Sequence, residues 1–194
     1  MLSRAAISLD RMVHAVEKVR QRLLRASQAL DRSGIPYAVV GGNAVAAWVS
    51  TVDEGAVRNT RDVDVMVDRK DFATVRSALE SAGFVYRHLA GIDLFLDSEE
   101  ASPRDAVHLV FANELVREGE PAPYPSLVSR QRAEEFSVLG LEALVQIKVT
   151  AFRDKDKTHL RDLIEVGLVD DSWTKKLPSP LADRLQSIID TPEG

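Results

Sequence analysis

The 194 residues include no cysteine, which excludes disulfides, thiolate nucleophiles and zinc–cysteine sites. At 45% hydrophobic and 28% charged, the chain has the proportions of a globular protein long enough to bury a sizeable core. A formal net charge of −5 argues against a surface coated in positive charge, so nucleic-acid binding would have to depend on a local basic patch. No apolar run approaches the ~20 residues of a membrane helix. Met1-Leu2-Ser3-Arg4 opens an amphipathic pattern rather than the apolar block of a signal peptide. A cytoplasmic location with no membrane partner is the expectation.

Residues 8–33 read as a helix, with Met12, Val16, Val19, Leu23, Ala26 and Leu30 forming one apolar seam and Gly34 closing it. The other face carries Arg11, Lys18, Arg20, Arg22, Arg25 and Arg32. That suits a solvated face on a helix packed against the domain; a dimerisation seam or an RNA-backbone contact are the sharper readings. Residues 35–40 form a first strand, Gly41-Gly42 a turn, 43–50 a helix and 52–59 a loop. Val63–Val67 is the second strand. Asp68-Arg69-Lys70-Asp71 then opens a helix that buries Phe72, Val75, Ala78 and Leu79 and ends at Gly83. Residues 84–89, Ile92–Leu96 and Ala106–Phe111 are three further strands. Gly119, Pro121 and Pro123 make residues 113–124 a loop, 125–131 are ambiguous, and 136–139 form a last short strand. From Leu141 the chain is helical, Leu144, Ile147 and Ala151 giving one core face and Leu160, Leu163 and Ile164 another. The polar residues 153–158 suit either a turn between two helices or an exposed turn of one. A final helix is expected over residues 181–189, after the break at Pro178 and Pro180. This divides the chain into an N-terminal helix (1–34), a core (35–140) and a C-terminal helical portion (141–194).

The chemistry centres on Asp62-Val63-Asp64. Alternate strand residues share a face, so the two carboxylates point the same way and repel unless a cation lies between them. Hard oxygen ligands suit Mg²⁺ or Mn²⁺. An exposed strand edge that merely solvates two acids is the plain alternative. Upstream, Gly41 and Gly42 let the backbone approach a phosphate, and the helix from Asn43 has an N-terminus that favours anions; a simple tight turn is the alternative there. Arg58 and Arg61 flank the carboxylates and either steer triphosphate or RNA or offset the acidic pair. Lys148, Lys155, His159 and Asp162 fall at i, i+7, i+11 and i+14. On one unbroken helix they would share a face with Phe152, which spacing alone reads as an ordinary charged face.

The order Gly-Gly, helix, Arg-x-Thr-x-Asp-h-Asp-h resembles the nucleotidyltransferase superfamily related to DNA polymerase β. The longer glycine-to-carboxylate spacing is similar to the AbiEii/AbiGii-toxin-like branch. The block Lys148-x-x-x-x-Arg153-x-Lys155-Asp156, followed by His159-Leu160-Arg161-Asp162, supports that branch. The resemblance covers roughly residues 35–169. It implies an α/β (α+β) fold, with a mixed, mostly antiparallel sheet backed by helices and a helical portion closing the cleft. It also implies a metal-dependent transfer of NMP from an NTP to a hydroxyl of RNA, tRNA or protein, with Mg²⁺ or Mn²⁺ on Asp62 and Asp64. Lys148 would contact the triphosphate, and Asp162 would orient neighbouring basic groups or help activate the acceptor. Arg153, Lys155 and His159 would join Gly41, Gly42, Asn43, Arg58 and Arg61 around the nucleotide. A cognate antitoxin protein is the partner such toxins imply.

Two departures stand out. Where many relatives have serine after the first glycine, this chain has Gly42, leaving the backbone N–H and Asn43 to hold phosphate. Many superfamily members also place a third carboxylate on a later central strand, and the polar residue of the strand Ala106–Phe111 is His108. It reads as a general base, a metal ligand or a buried hydrogen-bonded histidine. Asp105 falls on the opposite face, and Asp93 substitutes only under a different strand order. A non-catalytic nucleotide- or RNA-binding module with a degenerate metal site is the alternative function.

Overall fold

The computed structural model describes residues 8–193; the opening Met1-Leu2-Ser3-Arg4 lies outside them. Its elements are α1 (Leu9–Arg32), β1 (Tyr37–Val40), α2 (Gly41–Ser50), β2 (Val63–Val67), α3 (Phe72–Ser81), β3 (Val85–Leu89), β4 (Ile92–Leu96), β5 (Ala106–Phe111), β6 (Arg130–Arg132), β7 (Ser137–Leu139), α4 (Leu141–Ala151), α5 (Asp154–Glu165) and α6 (Ser179–Ile189), with short 3₁₀ turns between some of them. The strands form one mixed sheet in the order β3-β4-β5-β2-β1-β7-β6. β2–β5 and β1–β7 are parallel pairs, and the other four pairs are antiparallel. This is the expected mixed, mostly antiparallel α/β architecture.

Strand alternation divides the apolar residues between two cores. Tyr37, Val39, Val63, Val65, Val67, Val107, Leu109 and Phe111 face the side covered by α1 and α3. Ala38, Val40 and Met66 face the other side, where Leu144, Leu160, Leu163 and Leu185 of α4, α5 and α6 pack. Asp64 and His108 belong to this second side by register, since Asp64 pairs with His108 between β2 and β5. They lie where the helical cover leaves a gap, and that gap is the cleft.

Two local expectations change. The seam of α1 is only half used: Leu23, Ala26 and Leu30 are buried, whereas Met12 and Val16 are 64% and 43% exposed. The first half of α1 extends past the sheet it would cover. Its basic face is solvated over most of its length, as expected, with Arg11, Lys18, Arg20 and Arg32 exposed, but part of it is also paired. Arg22 is buried and, with Arg25, holds Asp97, while Arg20 meets Glu17 and Glu135. In the C-terminal part the turn falls earlier than the polar run suggested. Phe152 takes a left-handed conformation (φ 48) and ends α4, and the polar residues from Asp154 already belong to α5.

Leu160 is fully buried on α5, which packs against α2, α4 and α6. Leu160→Ala should lower unfolding free energy by about 2–5 kcal/mol in urea denaturation. Met12→Ala, on the exposed half of α1, should stay within about 0.5 kcal/mol.

Candidate active site

β1 and β2 pair so that Val40 lies opposite Asp64. The next residue, Gly41, therefore meets the Asp64 side chain. A Cβ on Gly41 would lie 1.9 Å from Asp64 Oδ2, and Gly41 has φ +68, so glycine is required twice over. Gly42 lies against Thr60, whose Oγ1 and Cβ would be 2.9 Å from an added Cβ. No side chain caps α2, so its first backbone N–H groups lack an intrahelical partner, and Gly41 and Gly42 line the cleft. Asn43 is used otherwise than expected. Its Nδ2 donates to the Asp62 carbonyl at 2.7 Å, tying α2 to the residue before β2, and its side chain is not on the cleft wall.

The cleft has a volume of about 700 Å³. Gly41, Gly42, Asp62, Asp64 and His108 line one part of it, and Lys148, Arg153, Lys155 and His159 another. These groups come from the β1–α2 turn, β2, β5 and the α4–α5 corner, brought together by the sheet order. Arg58, Arg61 and Asp162 are not on its wall. Arg58 Nε donates to Asp162 Oδ1 at 2.6 Å beside the cleft-lining Asn59 and Thr60. Arg61 turns to the opposite side, forks onto Asp105 at 2.9 and 3.1 Å, and lines a separate groove with Arg22, Arg25 and Asp97. The single row of Lys148, Lys155, His159 and Asp162 does not form, because the helix breaks at Phe152.

His108 occupies the position next to Asp64 on the neighbouring strand. Its Nε2–H donates to the Pro103 carbonyl at 3.0 Å, and Nδ1 lies 3.7 Å from Asp64 Oδ1. A carbonyl only accepts, so the ring turns Nδ1 toward the carboxylate. The neighbouring Asp64 raises the His108 pKa. Burial pushes the Asp64 carboxyl up, but His108, Lys155 and Lys148 together bring it below its ordinary value. Asp93 also lines the cleft, but it lies on β4, with β5 between it and Asp64, and is otherwise engaged. It projects from the other sheet face and accepts from the Tyr86 hydroxyl at 2.7 Å, with His88 Nδ1 at 2.8 Å.

Lys148 is 2% exposed and donates to the fully buried Asp156 at 3.2 Å. Burial lowers the Lys148 pKa, with Asp156 and Asp64 opposing. Arg153 Nε donates to the same carboxylate at 2.6 Å. His159 is held neutral: burial, aided by Lys148, takes it down to about 4, and its buried Nδ1 has no hydrogen-bond partner. Several wall residues lay outside the sequence reading. Arg69 forks onto Glu114 at 2.6 and 2.7 Å and stacks on Phe111, and buried Tyr124 is pushed up to about 12 by burial. Nothing local marks these. Asp156 did carry a signal, three residues beyond Arg153 in the same polar block.

A divalent cation suits part of this site. Asp62 and Asp64 share one side of β2 and both line the cleft, but among the described residues no three His, Cys, Asp or Glu side chains gather closely enough to hold a metal alone. Two carboxylates completed by substrate phosphate oxygens are a donor set that fits Mg²⁺ or Mn²⁺.

Gly41→Ala should force Asp64 aside as well as strain the backbone. Gly34, with φ +65 and nothing within 4 Å of an added Cβ, isolates the strain alone. Gly41→Ala should therefore shift the urea midpoint more than Gly34→Ala and displace the Asp64 carboxylate in a crystal structure of the variant. His159 yields a pH prediction. Its native pKa lies below the unfolded value of 6.5, so the unfolded chain binds a proton that the native state refuses. Stability should rise with pH from about 4 to 6.5 and be lost on acidification through that window. In His159→Gln that slope should flatten, and NMR of the wild type should show the imidazole neutral until about pH 4.

A family model described as an uncharacterised nucleotidyltransferase matches residues 8–146 and stops just before Lys148. No curated protein matches. Among solved structures, the chain is similar to an antigenic nucleotidyltransferase-like protein from Paracoccidioides brasiliensis, at 18% identity over 91% of this chain and 87% of that one, with a TM-score of 0.51. It also aligns with a putative nucleotidyltransferase from H. pylori, at 13% identity over 96% of this chain and 98% of that one, TM-score 0.46. With the antibiotic-resistance factor ANT(2'')-Ia the values are 14% identity, 94% and 92% coverage, and TM-score 0.49. The first of these shows a shared fold. With well over half its length matched by the family model, the chain belongs to the uncharacterised nucleotidyltransferase family of enzymes.

Proposed function

We propose that the protein is a metal-dependent nucleotidyltransferase that moves an NMP from an NTP to an acceptor hydroxyl, with loss of pyrophosphate. The observation that carries this is one cleft lined by both a carboxylate pair and a set of cations. Asp62 and Asp64 line it beside Gly41 and Gly42, and Lys148, Arg153 and Lys155 line it too, with Lys148 and Lys155 near enough to help hold Asp64 below its ordinary pKa. A bound Mg²⁺ or Mn²⁺ would supply neutralisation of phosphate charge at Asp62 and Asp64. The remaining work falls to the chain. Lys148, Arg153 and Lys155 bind the triphosphate, the backbone N–H groups at Gly41 and Gly42 hold phosphate oxygens, and Asn43 fixes Asp62 through its carbonyl. His108, facing Asp64, stands where a third carboxylate would. The Arg58–Asp162 pair borders the site from outside the wall.

The longer glycine-to-carboxylate spacing and the Lys148–Asp162 block favour the AbiEii/AbiGii-toxin-like branch. On that reading the acceptor is an RNA 3′ end such as tRNA, or a protein hydroxyl, and a cognate antitoxin regulates the enzyme.

The test is incubation with each α-³²P-labelled NTP, Mg²⁺ or Mn²⁺ and total RNA. Wild type should label RNA, and Asp62→Asn or Asp64→Asn should cut labelling by at least about 100-fold, since metal stabilisation is worth several kcal/mol. Label on protein instead would redirect the acceptor to a protein hydroxyl. NTP binding without any transfer would sink the enzyme reading in favour of a binding module.

A further inference from the structure

Asp156 is fully buried and absent from the cleft wall, yet it touches two of the wall's cations. Its Oδ1 accepts from Lys148 Nζ at 3.2 Å and from Arg153 Nη2 at 3.3 Å. Its Oδ2 accepts from Arg153 Nε at 2.6 Å and from the Arg153 backbone N–H at 3.2 Å. Four donors therefore converge on one carboxylate behind the wall. The corner at Phe152 makes this possible: it ends α4 one turn beyond Lys148 and starts α5 so that its first turn folds back onto that lysine.

The charges explain why such a group is needed. Lys148 is 2% exposed, and a desolvated ammonium tends to lose its proton. Arg153 nearby opposes it as a like charge. Asp156 offsets both effects, and the two positive charges on one negative leave a net positive subsite. Lys155 adds a further charge on the wall, while neutral His159 keeps a buried, unpartnered Nδ1. A site with surplus positive charge, built from groups held by buried hydrogen bonds, matches a compact polyanion.

We propose that Asp156 is a positioning residue whose buried carboxylate clamps Lys148 and Arg153 into a preassembled subsite for the pyrophosphate portion of the nucleotide. The proposal rests on the reading of this cleft as a nucleotide site. It says more than that reading, because a preassembled subsite binds inorganic pyrophosphate with no nucleoside attached. Asp156 acts through the two cations and does not meet the phosphates itself.

Calorimetric titration with pyrophosphate tests this. Asp156→Asn keeps the shape and removes the charge, and should weaken pyrophosphate binding at least tenfold. In a cycle with Arg153→Gln, the double variant should lose far less than the product of the single losses, since both changes disable the same clamp. Multiplicative losses, or unchanged affinity in Asp156→Asn, would overturn the proposal. Should Asp156→Asn fail to fold, Arg153→Lys replaces it. That residue is 35% exposed, and the change keeps the charge but removes the fork onto Asp156. Wild-type affinity in Arg153→Lys would overturn the clamp, and a loss of about tenfold would support it. A wild type that transfers NMP yet binds no pyrophosphate sinks this proposal and leaves the enzyme reading intact. One that binds pyrophosphate but transfers nothing, with the cycle as expected, does the reverse.

Discussion

The approach of Asp64 to Gly41 is the constraint on which the rest of the site depends. The antiparallel register sets Val40 opposite Asp64, so the first residue of α2 must pass where the carboxylate lies. Only a residue without a Cβ fits, and only glycine accepts the positive φ without strain. One contact thereby joins a strand-borne anion to a helix N-terminus. Asn43, bonded to the Asp62 carbonyl, holds the same two elements together one residue further on. The carboxylates and the N–H groups that open α2 are thus parts of one junction, which is the kind of support a site needs to keep its geometry.

The cationic part of the cleft follows a different logic. Lys148 and Asp156 are both withdrawn from water, where an isolated charge is costly and a paired, fully hydrogen-bonded one is tolerated. Burial pulls the pKa of Lys148 down and would pull that of Asp156 up; pairing keeps Asp156 below its ordinary value. His159, with no partner for Nδ1, has its pKa lowered by the same burial and stays neutral. A wall of one cation set and one neutral imidazole has a defined charge near neutral pH. The left-handed corner at Phe152 (φ 48) belongs to this arrangement, since backbone conformations of that kind persist where surrounding structure demands them.

Much of this was legible from residue order. Val63–Val67, Ile92–Leu96 and Ala106–Phe111 appear as read, because β-branched alternation bounded by turn residues is a local signal. The placement of Asp62 and Asp64 on one side follows from the same period of two. His108 beside Asp64 was anticipated as the polar residue of the right strand, and the parallel register placed it there. The exposed half of the α1 seam was not legible, since periodicity reports an apolar face and not whether anything covers it. Arg58 and Arg61 were candidates as neighbours of the carboxylates and Asp162 through the family resemblance; Arg58 and Asp162 pair with each other, and Arg61 pairs with Asp105.

The sequence by itself determined the elements, the glycine junction and the two carboxylates, because these rest on local conformational preference and strand alternation. Tertiary structure decided which charges share the cleft. Lys148, Arg153 and Asp156 meet because the chain turns at Phe152, and Asp93 is kept from Asp64 because β5 lies between their strands and the register turns it to the other sheet face. Those outcomes depend on strand order and on a single backbone angle, and long-range pairing of that kind leaves no periodic trace in the chain.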